Sequence, residues 1–300
     1  MPDLENDDLT LKNHLPTGLK KTIGSLVGDC GICGVLVLNA QQFEFIINSS
    51  TSSHLGEGAY CTCCKIHRPK GYWVAKSVPN MDCKTISLQR EIRGLSFLRD
   101  VPGVQKIVMV CPEELTMITV FAGDSLKEYL KINDCTFSER LQIIQQVTRT
   151  LIAVNSRGWL HNDVKTGNIC IQKTDKGIQA TLIDFGIATK VGSFIKFNST
   201  RAPDHNAPEV VKRCPLTTKA DVYSVGRLLE RLMKDELHLL TPNAQQWLIH
   251  AFNIDPTKRQ SLKKLLKYLP SNVKLSAPSS QGVMALFRAV GLPSVPVTKS

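Results

Sequence analysis

Leu160-His161-Asn162-Asp163-Val164-Lys165-Thr166-Gly167-Asn168, followed sixteen residues later by Asp184-Phe185-Gly186, decides how this chain is read. The stretch holds an acid that can take a proton from a hydroxyl, a lysine two residues on, and an amide plus a second acid that can hold metal. Such a set suits phosphoryl transfer, a chemistry that is mostly positioning and charge neutralisation.

Working outward, Leu55-Gly56-Glu57-Gly58-Ala59-Tyr60 precedes an apolar strand at 72–76. Glycines in that setting let backbone approach phosphates closely and offer amide donors, although a tight hairpin turn explains them equally well. Lys76 ends the run Val74-Ala75-Lys76; a lysine in an apolar strand needs an anion, and Glu91, fifteen residues on, can be one partner and a phosphate the other.

Around these motifs the periodicity predicts a strand-rich first part and a helical second part. Val35–Leu38 and Phe43–Ile47 read as short strands of a hairpin, and residues 104–110 and 115–121 as two more strands. A helix is expected over 85–99, with Leu88, Ile92, Leu95 and Leu98 on one stripe. Thr136-Phe137-Ser138-Glu139 is a capping box opening a helix that Gly158 ends. Further helices are expected from Thr218 through Met233, over 243–252 and over 261–269. Residues 270–282 are Ser- and Pro-rich, and Val283, Met284, Leu286, Phe287 and Val290 can form one short amphipathic helix.

Taken in order, Gly56/Gly58, Lys76, Glu91, 161–168, 184–186, Ala207-Pro208-Glu209, Asp221 and Arg259 resemble the eukaryotic protein kinase family over roughly residues 43–269. The resemblance implies an α+β, bilobal fold with a small β-rich N-lobe (43–121) and a mainly helical C-lobe (122–269). Residues 1–42 would form a leader with a possible extra strand, and 270–300 a tail. It implies ATP and Mg²⁺ as cofactors. Lys76 would hold the α/β-phosphates, oriented by Glu91, and Asp163 would accept the substrate hydroxyl's proton. Lys165 would neutralise the transferred phosphoryl, while Asn168 and Asp184 would ligate Mg²⁺. Leu55, Gly56, Glu57, Gly58, Cys63 and Ala75 would line the nucleotide, and Val120, Phe121 and Ala122 would form the connector that hydrogen-bonds the base. Ile118 and Thr119 compete for the position behind the adenine. Glu209–Arg259 resembles the family's buried ion pair, Asp221 the aspartate under the catalytic loop, and His161 a packed structural histidine.

The chain departs from the family pattern at several points. Cys61 replaces the third glycine, and Asn162 stands where the family has an arginine that pairs with an activation-loop phosphate; the expectation is activity independent of that phosphate. Ser193, Ser199 and Thr200 remain candidate phosphosites. Lys165 resembles serine/threonine rather than tyrosine kinases, while the family's threonine before Pro208-Glu209 appears as Ala202. Asp221 to Arg259 spans only 38 residues, so a substrate-docking helix is shortened or absent. A catalytically weak scaffold of the same fold is the alternative.

The net charge of +11 favours acidic partners, here a protein substrate, with an acidic one favoured; Lys65–Lys70 and 258–267 concentrate it. Nucleic acid is not indicated beyond that charge, because no aromatic interleaving accompanies it. Ten irregularly spaced cysteines point to reduced thiols in the cytoplasm or nucleus, and Cys30-x-x-Cys33 has metal-like spacing but no second pair. The longest aliphatic runs are far too short to span a bilayer. Oligomeric state and pathway are not legible.

Overall fold

The structure, a computed structural model, describes residues 34–57, 61–79, 82–175, 177–195 and 203–270, with Gly24 and Gly28. Two compact units divide the chain, one of residues up to 123 with 181–189, the other of 124–180 and the residues from 190. The leader at 1–20, Cys30 and Cys33, Gly58, Ser199, Thr200 and the 283–290 stretch lie outside the described residues.

The first unit is built on a six-stranded sheet. Its strands are β1 (Leu36–Val37), β2 (Ser52–Glu57), β3 (Thr62–Arg68), β4 (Gly71–Ser77), β5 (Ile107–Cys111) and β6 (Thr116–Val120), in the order β1-β5-β6-β4-β3-β2. β1 runs parallel to β5, and the other pairings are antiparallel. Helix α1 (Ala40–Asn48) replaces the second strand of the expected hairpin. The cause is local: Asn39 Oδ1 accepts from Gln42 N at 2.8 Å while Gln42 Oε1 accepts from Asn39 N at 3.1 Å, a reciprocal cap on two orphan amides. Phe43, Ile46 and Ile47 then fall on one helical face and pack against Leu38, Ile66, Ala75, Met109, Cys111 and Ile118. Helix α2 (Asp82–Phe97) starts and stops slightly before its expected bounds and buries Leu88, Ile92 and Leu95; Leu98, one residue beyond its end, is buried with them. Residues 181–189 join this unit because Leu182 N–H donates to Gly103 O and Gln105 N–H donates to Leu182 O, at 2.7 and 3.0 Å.

The second unit is mainly helical. It comprises α3 (Leu126–Ile132), α4 (Phe137–Ser156), the one-turn α5 (Pro208–Val211), α6 (Lys219–Leu232), α7 (Pro242–Ala251) and α8 (Leu262–Tyr268). The expected capping box opens α4: Thr136 Oγ1 accepts from Glu139 N and Glu139 Oε2 accepts from Thr136 N. Gly158 follows its end at φ +77°, a left-handed conformation that glycine adopts without a Cβ clash. α4 packs against α6 and α8, and α7 against α6 and α8. Short strands surround the sequence motif: β7 (Asp124–Ser125), β8 (Trp159–Leu160), β9 (Ile169–Thr174) and β10 (Gly177–Leu182), with β10, β9 and β7 forming one sheet. These strands, and α3, had no periodic signal long enough to read. The observed architecture is the expected α+β class, a sheet-built unit followed by a helical one.

Candidate active site

In the first unit Lys76 sits on β4 and Glu91 on α2. Lys76 Nζ meets Glu91 Oε2 at 2.6 Å and Asp184 Oδ1 at 3.4 Å. Burial opposes the charge on Lys76, but the carboxylates of Glu91 and Asp184 outweigh it and hold the ammonium well above its usual range. Burial pushes the Glu91 carboxyl up to about 7, partly offset by Lys76. Asp184 adopts φ +63°, uncommon for a residue with a Cβ, and its Oδ1 accepts from Gly186 N at 3.3 Å. A Cβ on Gly186 would lie 2.5 Å from Ser87 Oγ, so glycine is demanded there by close approach. Phe185 between them is fully buried.

Strand alternation sorts the remaining first-unit candidates. Cys63 pairs with Lys76 and Lys76 with Met117, while Val74 pairs with Thr119, so these side chains share the Lys76 face. Ala75 pairs with Ile118 on the opposite face, in the core that α1 covers. Ala75, expected beside the nucleotide, thus lies on the face away from Lys76, while Val74, two residues before Lys76, is on the lysine's face. The same alternation puts Thr119, not Ile118, on the lysine's side; its Oγ1 accepts from Gln105 Nε2 at 2.9 Å. Val74 was discoverable from the period of two alone, whereas Thr119 also needs the register of β6 on β4.

In the connector, Val120 N–H donates to Lys106 O and Phe121 N–H to Tyr72 O, at 2.8 and 2.9 Å. Ala122 N–H donates to no described residue. Leu55 and Gly56 lie at a register shift in β2, and Gly56 has φ +143°, a conformation that side chains rarely adopt. Of Glu57 only the backbone, at the end of β2, is described. Cys61 Sγ lies 3.9 Å from Cys63 Sγ; that contact and burial push the Cys63 thiol well up, which disfavours a reactive thiolate. The basic cluster does have aromatic company, from a different strand and the connector: Lys65 Nζ stands 4.1 Å from the Tyr72 ring centroid and 4.0 Å from that of Phe121.

In the second unit the catalytic-loop motif follows β8. Asp163 Oδ2 accepts from Lys165 Nζ and Asn168 Nδ2, each at 2.7 Å, and its Oδ1 lies 2.6 Å from His205 Nε2. Burial raises the Asp163 carboxyl, but His205, Lys165 and His161 more than compensate and hold it below the usual carboxylate range. Asp221, fully buried on α6, accepts from His161 N at 3.2 Å, Asn162 N at 3.0 Å and Asn155 Nδ2 at 2.8 Å. Buried His161 accepts from Asp163 N at its Nδ1, the packed role expected of it. Asn162 adopts φ +65°, a region asparagine tolerates better than most residues, so its presence has a backbone reason as well. Arg259 and Glu209 form a bidentate pair at 2.6 and 2.8 Å. His205 was not found from the sequence: it lies 42 residues from Asp163 and belongs to no motif read there.

The donor set suits a hard cation within each unit. Asn168 commits its amide nitrogen to Asp163, and neither its Oδ1 nor Asp184 Oδ2 takes a hydrogen bond from a described residue. Oxygen donors of this kind match the preference of hard cations. Among the described residues no group of three or more His, Cys, Asp or Glu could hold a metal, and no helix is long and apolar enough to cross a membrane.

Comparison with known proteins agrees with this geometry. The serine/threonine-protein kinase pkn2 of Myxococcus xanthus is 30% identical over 169 residues, covering 53% of this chain and 20% of the relative. Cell division control protein 7 of Schizosaccharomyces pombe is 32% identical over 146 residues, covering 41% and 14%. Calcium/calmodulin-dependent protein kinase type II of Caenorhabditis elegans is 23% identical over 269 residues, covering 77% and 37%. The chain thus matches well under half the length of each of these relatives. The model of the protein kinase domain matches residues 49–274, three quarters of the sequence, and the chain belongs to that family.

Proposed function

We propose that this chain is a protein kinase that uses ATP and Mg²⁺ to phosphorylate serine or threonine hydroxyls, without needing a phosphate on its activation loop. The observation that carries the reading is the convergence of Lys165 and Asn168 on one oxygen of Asp163, an acid held in its ionised form. An ionised, fixed carboxylate is what a substrate hydroxyl needs as proton acceptor. Lys76, charged and oriented by Glu91, binds phosphate oxygens. Lys165 neutralises charge on the phosphoryl in transfer. Cys63, Val74 and Thr119 line the base side of the sheet and Ala122 N–H hydrogen-bonds the base edge, while Leu55 and Gly56 cover the phosphates. Asn168 and Asp184 would each give an oxygen to Mg²⁺, which would supply neutralisation of charge on the phosphate oxygens.

The protein substrate is expected to be acidic, in keeping with the net charge of +11. A cytoplasmic or nuclear location is supported by free thiols at Cys61, Cys63, Cys64, Cys111, Cys135, Cys170 and Cys214. The test is transfer of label from γ-labelled ATP and Mg²⁺ to a panel of casein, histone and myelin basic protein, followed by acid hydrolysis. Labelled serine or threonine is expected. Nucleotide binding without transfer would instead identify a scaffold, and labelled tyrosine would overturn the inference from Lys165.

A further inference from the structure

His205 and Asn206 bind two consecutive residues of the catalytic loop. His205 Nε2 lies 2.6 Å from Asp163 Oδ1, with side-chain exposures of 17% and 14%. Asn206 Nδ2 donates to Asn162 O at 2.9 Å, and this orientation is forced because a carbonyl only accepts. Asn206 is buried, and its Oδ1 meets no hydrogen-bond partner among the described residues. Leaving that oxygen unsatisfied is a cost that the bond to Asn162 must offset. The backbone behind the pair is fixed too: His205 O accepts from the buried Ser224 Oγ on α6 at 2.6 Å, and Asn206 N–H donates to Pro203 O at 2.9 Å.

We infer that His205 is a positioning residue for the Asp163 carboxylate, and that with Asn206 it latches the end of the activation segment to the catalytic loop in place of a phosphate-dependent contact. The inference rests on the proposed kinase reading. Lys165 and Asn168 hold one carboxylate oxygen, and the imidazole N–H holds the other. With both oxygens engaged the carboxylate cannot rotate, and a carboxylate oxygen that accepts one bond keeps a further lone pair for a substrate hydroxyl. Asn162 has no guanidinium to receive a phosphate, but its carbonyl receives Asn206. The loop is thereby held by bonds that exist as soon as the chain folds.

The test compares kcat and KM of the full chain with those of His205→Ala, His205→Gln and Asn206→Ala. His205→Ala is expected to lower kcat by about tenfold or more, the worth of one hydrogen bond to a charged group, with KM for ATP nearly unchanged. His205→Gln, which keeps an N–H donor, recovers most of the loss, and imidazole added to His205→Ala restores rate in a saturable way. A purely structural histidine would respond to neither rescue. Wild-type kcat in His205→Ala, a higher kcat, or failure of both rescues overturns the inference. An independent readout is the slowly exchanging imidazole N–H proton of His205 by NMR, expected in the wild type and absent in Asp163→Ala. Its absence from the wild type refutes the latch. Should the wild type transfer no phosphate to any protein, the kinase reading fails while this signal still decides the latch.

Discussion

Two buried cation–carboxylate pairs, one in each unit, look alike in sequence and differ in what they leave unengaged. Arg259 commits four of the five N–H donors of its guanidinium: to both oxygens of Glu209, to Lys219 O at 2.8 Å and to Asn253 O at 2.9 Å. It is fully buried, and those four donors are already engaged. Lys76 has one short bond to Glu91 and a longer one to Asp184, whose side chain is 40% exposed. A buried planar fork with most of its donors engaged suits a brace, whereas a point charge with partial exposure and a second, looser acid suits an anion that comes and goes. Identical charges thus acquire different roles through the number of bonds already satisfied.

The comparison can be broken at either end. Glu209→Ala should have the largest effect, destabilising the fold by about 3–5 kcal/mol because the Arg259 charge stays buried without compensation. A urea midpoint measured with and without nucleotide checks this, and the loss should be present in both. Lys76→Met should cost about 3–4 kcal/mol in transfer, with a smaller loss of stability than Glu209→Ala, because the Glu91 carboxyl, which burial already pushes up to about 7, can take up a proton once its partner is gone. A matching loss of stability would show that Lys76 is a brace as well. Gly186→Ala should cost about 1–3 kcal/mol in stability, because its Cβ meets Ser87 Oγ at 2.5 Å, and adding Ser87→Ala should recover part of it. The smallest effect is electrostatic. The folded-state carboxyl of Asp163 is depressed, so it contributes stability above the ordinary carboxylate range that is lost as pH falls through its lowered value. The stability gap between the wild type and Asp163→Asn should be constant near neutrality and shrink below about pH 4.

Much of the site was legible because its chemistry is concentrated in short strings. Asp163, Lys165 and Asn168 lie within six residues, and one loop must place them together. The capping box at Thr136 was readable for the same reason: its partners are three apart. Pairings across longer separations were less direct: Glu91 was one possible anion for the strand lysine Lys76, and Glu209–Arg259 was readable only through the family resemblance. What failed was a matter of period and reach. Residues 43–47 are too few to distinguish a strand from a helix turn, and the Asn39 cap decided it. Ala75 adjoins Lys76 in sequence but faces the other side of the sheet, because adjacent residues on a strand face opposite ways. His205 had no local signal, since its importance arises only when the segment before Ala207-Pro208-Glu209 folds back on Asp163.

The central claim is that Asp163 is the fixed proton acceptor of phosphoryl transfer. It is tested most directly by single-turnover rapid quench with Mg²⁺ and γ-labelled ATP, comparing the wild type with Asp163→Asn at equal nucleotide occupancy. Unchanged ATP affinity and a transfer rate lower by about a hundredfold or more are expected in the variant. Equal rates in the two proteins, with label on the same hydroxyl class, would contradict it.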